Sequence, residues 1–296
     1  MKLVSFEREG PRAGAVVGDL VLDIGSALGA PHAVTTDDVI GRGLLPEAKN
    51  LADNAADLDR KHFIPFKGTR ILPPVGRPGM IVCLGLNYRD HALEQRKDPP
   101  AHPILFAKAP GAVAGPFDDI VVRPGVTHVD AEAELAVVMG RECAAVAEEE
   151  ALGYVAGYCC MNDVSARRIQ REDGQWFRAK SFDTFAPCGP WIVTPDELGD
   201  PGGLAIKQRL NDVVVQDGNT AEMLFGVARI ISFVSAAMTL RPCDIIATGT
   251  PAGVGVFRDP PVFLADGDVV TVEIERIGFI RNRIRVLTEE TPWRAR

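Results

Sequence analysis

The sequence predicts an α+β fold dominated by strands: a mixed β-roll or sandwich with helices at its edges, behind a small N-terminal α+β domain. Three observations carry this. Short β-rich runs recur beyond Leu72, only one long segment shows helical apolar spacing, and a connector rich in proline and glycine separates residues 1–71 from 72–296. In chain order, Leu3 to Phe6 alternates apolar and polar residues. A hairpin follows, with Gly18-Asp19 turning between Ala15-Val16-Val17 and Leu20-Val21-Leu22. Thr35-Thr36-Asp37-Asp38 has the composition of a helix N-terminus, and Pro46 to Lys61 reads as a second, polar helix. Pro65, Pro73, Pro74 and Pro78, interleaved with Gly68, Gly76 and Gly79, form the connector.

The later strands are expected at Met80–Leu84, Ile104–Ala107, Ile120–Val122, Glu134–Met139, Trp191–Thr194, Leu204–Leu210, Val213–Val215, Val269–Ile274 and Phe279–Val286. Ala221 to Met238 is the longest helix candidate. No repeat of solenoid length and no low-complexity tract is present.

The 296 residues are 46% hydrophobic and 24% charged, ordinary globular usage, and the net charge of −8 leaves no basic footprint for nucleic acid or an anionic membrane. Neither a signal-peptide pattern nor an apolar run of membrane-spanning length is found. The six cysteines contain no C-x-x-C pair and read as reduced, buried residues, so the expected compartment is the cytoplasm. The glycines match neither a phosphate loop nor a dinucleotide fingerprint, which excludes a nucleotide reading.

Candidate chemistry begins at Asp130-Ala131-Glu132-Ala133-Glu134, which runs into an apolar stretch. On one strand, period two puts the three carboxylates on one face, where they repel unless a hard cation joins them. Taken alone, the segment reads first as a strand that enters the core from solvent with its first half exposed. Asp163, Arg167 and Gln170 follow a strand-like run at Ala156 to Cys160. If Asp163 opens a helix, all three share a face suited to clamping an anion, although an ordinary surface pair fits the same spacing. His91 and Glu94, three apart, suit a short helix in which the carboxylate orients the imidazole. Thr250 stands in a Gly-Thr-Pro turn whose hydroxyl and amides suit a carboxylate, and Lys180 by itself is one lysine among several.

Six pieces then resemble, in order, the fumarylacetoacetate hydrolase superfamily, in its acylpyruvate hydrolase and 2-hydroxyhepta-2,4-diene-1,7-dioate isomerase-like branch. They are Cys83-Leu84-Gly85-Leu86-Asn87-Tyr88-Arg89-Asp90-His91 with Glu94; Pro103 to Lys108; Asp130 to Leu135; Asn162-Asp163 with Arg167 and Gln170; Lys180 to Trp191; and Ile246 to Gly255. The likeness extends over Met80 to Val286. The resemblance implies a β-roll catalytic domain, a homodimer, and one Mg²⁺ or Mn²⁺ per chain on Glu132, Glu134 and Asp163, with Asp130 beside the ligands. It further implies that His91 and Glu94 activate water, that Gln95 to Pro100 forms a lid, and that Lys180 faces the substrate. Arg167, Gln170 and Thr250 would bind the substrate's anionic and keto groups, with added positive charge from Arg89 and Lys108. Two positions depart from the pattern: Pro110-Gly111-Ala112 where relatives carry a serine, and Cys243-Asp244 where Gly-Asp is usual.

The expected function is cation-dependent hydrolysis of a C–C bond in a 2,4-dioxo acid of acylpyruvate type, through a pyruvate enolate. Oxaloacetate decarboxylation, and isomerase or lyase steps on 2-hydroxydienedioates or sugar-derived 2-oxo acids, are the alternatives. A non-catalytic, metal-dependent 2-oxo acid binding protein is the alternative of another class.

Overall fold

The computed structural model describes residues 1–30 and 32–289. Two sheets organise it. The larger begins with the strands Phe63–Pro65, Leu20–Asp23, Pro11–Val17 and Lys2–Glu7, hydrogen-bonded in that order. It continues through Ala186–Val193, Val155–Asn162, Ala133–Met139, Ile245–Ala247, Ile81–Gly85 and Ile104–Lys108. Lys2 and Leu3 pair with Val193 and Ile192, so main-chain hydrogen bonding runs unbroken between the N-terminal segment and the rest of the chain. The smaller sheet orders Val213–Asn219, Ala205–Leu210, Val269–Ile274, Gly278–Val286 and Ile120–Val122. The β-dominated expectation therefore holds.

Period two explains how these layers stack. Along Ala133–Met139, Leu135, Val137 and Met139 face a core shared with Ile206, Val272 and Ile280 of the smaller sheet and with Ile230, Ile231 and Val234 of the helix Val227–Ala237. Ala136 and Val138 face the opposite core, with Val39, Ile40 and Ala48 from the N-terminal helices. Every residue of this strand is buried, as its unbroken apolar run requires once both faces are covered.

Local signals are honoured where local physics decides. Val17 pairs with Leu20 across Gly18-Asp19, and Gly18 takes a φ of 57° that a two-residue hairpin demands. Thr35 caps the helix Thr36–Gly41 in a reciprocal box with Asp38. The polar helix is shorter than expected, running Leu45–Asp53 before breaking into single turns at Ala55–Asp57 and Arg60–His62. Asn54 donates to the Asn50 carbonyl and Asp59 accepts from the Lys61 amide, so short polar side chains compete for the main chain.

The long helix begins six residues later than its apolar spacing suggests, at Val227. Asn87 is the cause. Its side chain is 1% exposed, donates to the carbonyls of Phe225 (3.1 Å) and Thr248 (2.8 Å), and accepts from the Phe225 amide (2.9 Å). Its own carbonyl accepts from Leu224, which holds 224–225 out of the helix. Asn87→Ala leaves the buried Thr248 carbonyl and the partly buried Phe225 amide and carbonyl without this partner and is expected to cost about 2–4 kcal/mol. A fall in the urea midpoint with unchanged slope would verify this.

Candidate metal centre and active site

The site forms where the strand Ala133–Met139 starts, beside the end of Val155–Asn162. The carboxylates of Glu132, Glu134 and Asp163 offer oxygens within 4.8 Å of one another, and all three residues are buried. Asp130 and Glu134 do not share one strand. Val129–Asp130 forms its own short ladder with Ser165–Ala166, and the chain breaks from it before Ala133. Asp130 turns to Arg167 (Nε, 3.0 Å) and to the amides of Gly255 and Val256, outside the trio.

Asp163 does not open a helix, contrary to its spacing with Arg167 and Gln170. Its amide donates to the Glu132 carbonyl (2.9 Å), and Ser165–Ala166 follows as a strand. Tertiary pairing overrides the local i,i+4 signal here. The helix is Arg167–Asp173, in which Arg167 Nη1 donates to Gln170 Oε1 (3.1 Å). Asp163 instead accepts from Lys108 (2.6 Å) and Lys180 (2.5 Å), while Arg167 reaches Asp130 and Glu132.

The charges do not balance. Four buried carboxylates, those of Asp130, Glu132, Glu134 and Asp163, meet three buried cations, Lys108, Lys180 and Arg167. Burial would raise Glu132's pKa, but Arg167 and Lys180 outweigh it and hold the group ionised, well below the usual carboxylate range. Burial would likewise lower Lys180's pKa, yet Asp163 and Glu132 push it above the ordinary lysine value. Lys108, fully enclosed, is lowered by burial more than Asp163 restores.

Glu134 is the exception. It accepts from the Gly249 amide (2.9 Å) and has no cation partner among the described residues. Burial, then Asp163 and Glu132, raise its pKa well above the ordinary value of 4.5. A divalent cation would cancel that unmatched charge, and an all-carboxylate oxygen set suits a hard ion. The donors present therefore fit Mg²⁺ or Mn²⁺.

Across the cavity, His91 sits on the helix Arg89–Glu94. Its Nδ1 lies 2.9 Å from Glu94 Oε2, and its Nε2 lies 2.8 Å from the Gln95 amide nitrogen. An amide nitrogen only donates, so Nε2 accepts and Nδ1–H points to Glu94. Phe257 packs edge-on against the imidazole at 5.6 Å. The other Glu94 oxygen accepts from the Gly253 amide (2.8 Å).

One loop fastens much of this. The amides of Gly249, Ala252, Gly253, Gly255 and Val256 donate to Glu134, Asp90, Glu94 and Asp130. Gly253 has φ 105°, and a Cβ there would stand 2.1 Å from the Val215 carbonyl oxygen, so only glycine lets the loop come this close. Thr250 lines the cavity and accepts from Gln216 Nε2 (2.8 Å). Gln216 also accepts from the Ala133 amide, which ties the loop to the start of the acidic strand.

The cavity holds about 390 Å³ and is lined by Leu86, Phe106, Trp176 and Phe257 together with His91, Glu132, Glu134, Gln170, Lys180 and Thr250. Arg89 is placed outside it: the side chain is 65% exposed and reaches Glu222 at 3.8 Å. Its helix turns one face inward, and His91 and Ala92 occupy it. The sequence reading missed Gln95, Gln216 and Trp176. For Gln95 the signal was available, four residues after His91 on one helical face; Gln216 and Trp176 carry none. Cys243 takes φ 72°, the left-handed turn for which glycine is usual.

Comparisons with known proteins show the family. The profile for the fumarylacetoacetate (FAA) hydrolase C-terminal domain matches residues 80–285. The human mitochondrial oxaloacetate tautomerase FAHD2A is 46% identical over 223 residues, 75% of this chain and 71% of that protein. A 2,4-didehydro-3-deoxy-L-rhamnonate hydrolase of Sphingomonas is 47% identical over 213 residues, 71% of this chain and 75% of the relative. The crystal structure of maleylpyruvate hydrolase from Sphingobium, in complex with manganese(II) and pyruvate, superposes with a TM-score of 0.81. It is 31% identical and covers 97% of this chain and 100% of its own. With the acidic trio, the lysine and the His–Glu pair on one cavity, the chain belongs to the fumarylacetoacetate hydrolase family.

Proposed function

We propose that this protein hydrolyses the C–C bond of a 2,4-dioxo acid of acylpyruvate type. The observation that carries the reading is the pairing of two half-sites on one cavity: an acidic trio with an unmatched charge, and a His–Glu pair whose Nε2 faces away from its carboxylate. Glu132, Glu134 and Asp163 would hold a divalent cation, which would supply Lewis-acid stabilisation for the enolate. Once the Gln95 amide moves aside, His91 Nε2 takes a proton from water, and the hydroxide adds to the distal carbonyl. Glu94 stabilises the imidazolium through Nδ1–H. The bond to C3 then breaks, its electron pair passing into the pyruvate enolate, and a proton returns to C3. Lys180, held protonated by Asp163 and Glu132, stabilises the developing charge. The Gln170 amide and the Thr250 hydroxyl position the substrate, while Arg167 holds Glu132 and Asp130 in place.

A second reading, keto–enol interconversion of oxaloacetate, is favoured by the 46% identity to the human tautomerase. It needs the same stabilised enolate without attack by water. Dimerisation and a cytoplasmic location belong to the same proposal. Phe117, Phe177 and Phe279 are large apolar side chains exposed on the single chain, and the six cysteines are free and buried, as a reducing compartment allows. No helix among the described residues is long and apolar enough to cross a membrane.

The deciding experiment supplies metal-stripped protein with Mn²⁺ or Mg²⁺ and follows pyruvate release from an acylpyruvate panel alongside enol loss from oxaloacetate. Cation-dependent pyruvate release is the expected result. Oxaloacetate ketonisation with no acylpyruvate cleavage replaces it with the tautomerase. Binding of a 2-oxo acid without turnover of any substrate leaves a binding protein.

A further inference from the structure

Gln216 is the buried residue of an otherwise exposed or half-buried strand, Val213–Asn219, at the edge of the smaller sheet. Its main chain is pinned by the loop it serves. Arg258 donates from Nη2 to the Val215 carbonyl and from Nε to the Gly253 carbonyl (3.1 Å). Gly253 packs so closely that an added Cβ would stand 3.2 Å from Gln216 Cα. The side-chain amide has three partners, and two of them decide which end is which. Oε1 accepts from the Ala133 amide (2.9 Å), and Nε2 donates to the Pro251 carbonyl (2.7 Å). A main-chain amide only donates and a carbonyl only accepts, so the reversed orientation would lose both bonds. The second Nε2 proton therefore goes to Thr250 Oγ1, 2.8 Å away.

A hydroxyl carries a single proton, and its direction follows from what the oxygen already accepts. Thr250 Oγ1 accepts from Gln216, and no acceptor among the described residues takes the proton of its hydroxyl. Thr250 is 4% exposed and lines the cavity, so that proton is left for the cavity's occupant. We propose that Gln216, through this bond, sets the Thr250 hydroxyl as a donor into the cavity and is thereby a positioning residue for an anionic oxygen of the substrate. The inference rests on the 2-oxo acid reading above and names the residue that fixes one of its contacts. A carboxylate or enolate oxygen, with lone pairs and no proton, completes the chain Nε2–H···Oγ1–H···O, in which each bond polarises the next. An occupant that offers an N–H or O–H there leaves the Thr250 proton without an acceptor.

A double-mutant cycle separates this role from a purely structural one. Titration calorimetry on Mn²⁺-supplemented protein measures pyruvate binding to wild type, Gln216→Met, Thr250→Val and the double variant. Methionine matches the length of glutamine and removes its amide. Gln216→Met is expected to weaken pyruvate binding about tenfold. The same substitution made in Thr250→Val should weaken it no further, because the hydroxyl through which Gln216 acts is gone. In Thr250→Ser, which keeps the hydroxyl, Gln216→Met should again weaken binding about tenfold. An equal loss in the Thr250→Val background would show that Gln216 holds the loop and not the hydroxyl, and would overturn the assignment. Pyruvate binding untouched by Gln216→Met would overturn it too. Urea unfolding checks that each variant folds. Should Gln216→Met lose the fold, Gln216→Glu, which keeps an oxygen for the Ala133 amide, runs through the same cycle, and a loss undiminished by Thr250→Val again overturns the assignment. Failure of the wild type to bind pyruvate overturns the 2-oxo acid reading together with this inference.

Discussion

Replacing Glu134 by glutamine is expected to stabilise the metal-free protein while removing its metal affinity. The two effects share one cause. Glu134 is buried, faces two other carboxylates and has only the Gly249 amide to balance an ionised oxygen. Near neutral pH the metal-free native state must take up a proton on Glu134 that the unfolded chain has released, and glutamine removes that cost. Glutamine keeps the shape and can donate toward Glu132 or Asp163, whose own ion pairs with Arg167, Lys180 and Lys108 stay intact. The cation loses an anionic ligand, so Mn²⁺ affinity falls by about 100-fold or more and turnover by about 1000-fold.

The pH dependence has a definite sign. Glu134's folded pKa is raised, so the native state holds a proton that the unfolded state has already released above the ordinary value of 4.5. Stability from this group is full below that pH and is lost as pH rises toward the folded pKa. Metal-free wild type should therefore lose stability over this range, and Glu134→Gln should not. Binding of Mn²⁺ to wild type releases the proton, so its affinity climbs with pH. Thermal unfolding with and without Mn²⁺, across pH, measures all of this. A variant that is less stable without metal, or that binds Mn²⁺ as wild type does, would contradict the metal-centre assignment.

His91→Ala carries the second large effect. As the group proposed to take the proton from water, His91 should contribute about 100- to 10,000-fold to kcat. Its side chain touches Glu94, Gln95 and Phe257 and no member of the acidic trio, so Mn²⁺ affinity and KM should stay close to wild type. Glu94→Gln should retain the imidazole yet disturb its tautomer, because an amide nitrogen can donate to Nδ1 and turn the ring's proton onto Nε2. Its loss of kcat should approach that of His91→Ala, with the Gly253 contact still available to the side-chain oxygen. Steady-state kinetics on an acylpyruvate reads both variants. A His91→Ala enzyme that still cleaves at wild-type rate would show that another group activates water. Retained oxaloacetate ketonisation in the same variant would separate enolate formation from hydrolysis.

What the sequence determined by itself is local or compositional. The i,i+3 spacing joined His91 to Glu94, and Gly18-Asp19 and Thr35 set their turn and cap; strand period two did not place the acids, because Glu132 lies before the strand Ala133–Met139. Contacts between residues a few positions apart are written in backbone periodicity, and the chain carries that information wherever it folds. The ligand set Glu132, Glu134 and Asp163 came from the family resemblance, and residue type added only that three carboxylates suit a hard cation.

Only the tertiary structure decided the pairings across the site. Arg167 meets Asp130 from 37 residues away, Lys180 meets Glu132 from 48, and Lys108 meets Asp163 from 55. Nothing in the spacing foretold that Asp163 would leave its supposed helix for the two lysines, that Arg89 would turn outward, or that Asn87 would hold Phe225 and delay a helix. Strand order and register bring those groups together, and their Coulombic and hydrogen-bond energies at close range in a buried site outweigh the few tenths of a kcal/mol at stake in a surface helical pair. The unmatched charge on Glu134, from which the metal-centre reading follows, is likewise a property of the assembled neighbourhood, because it depends on which cations the fold leaves out of reach.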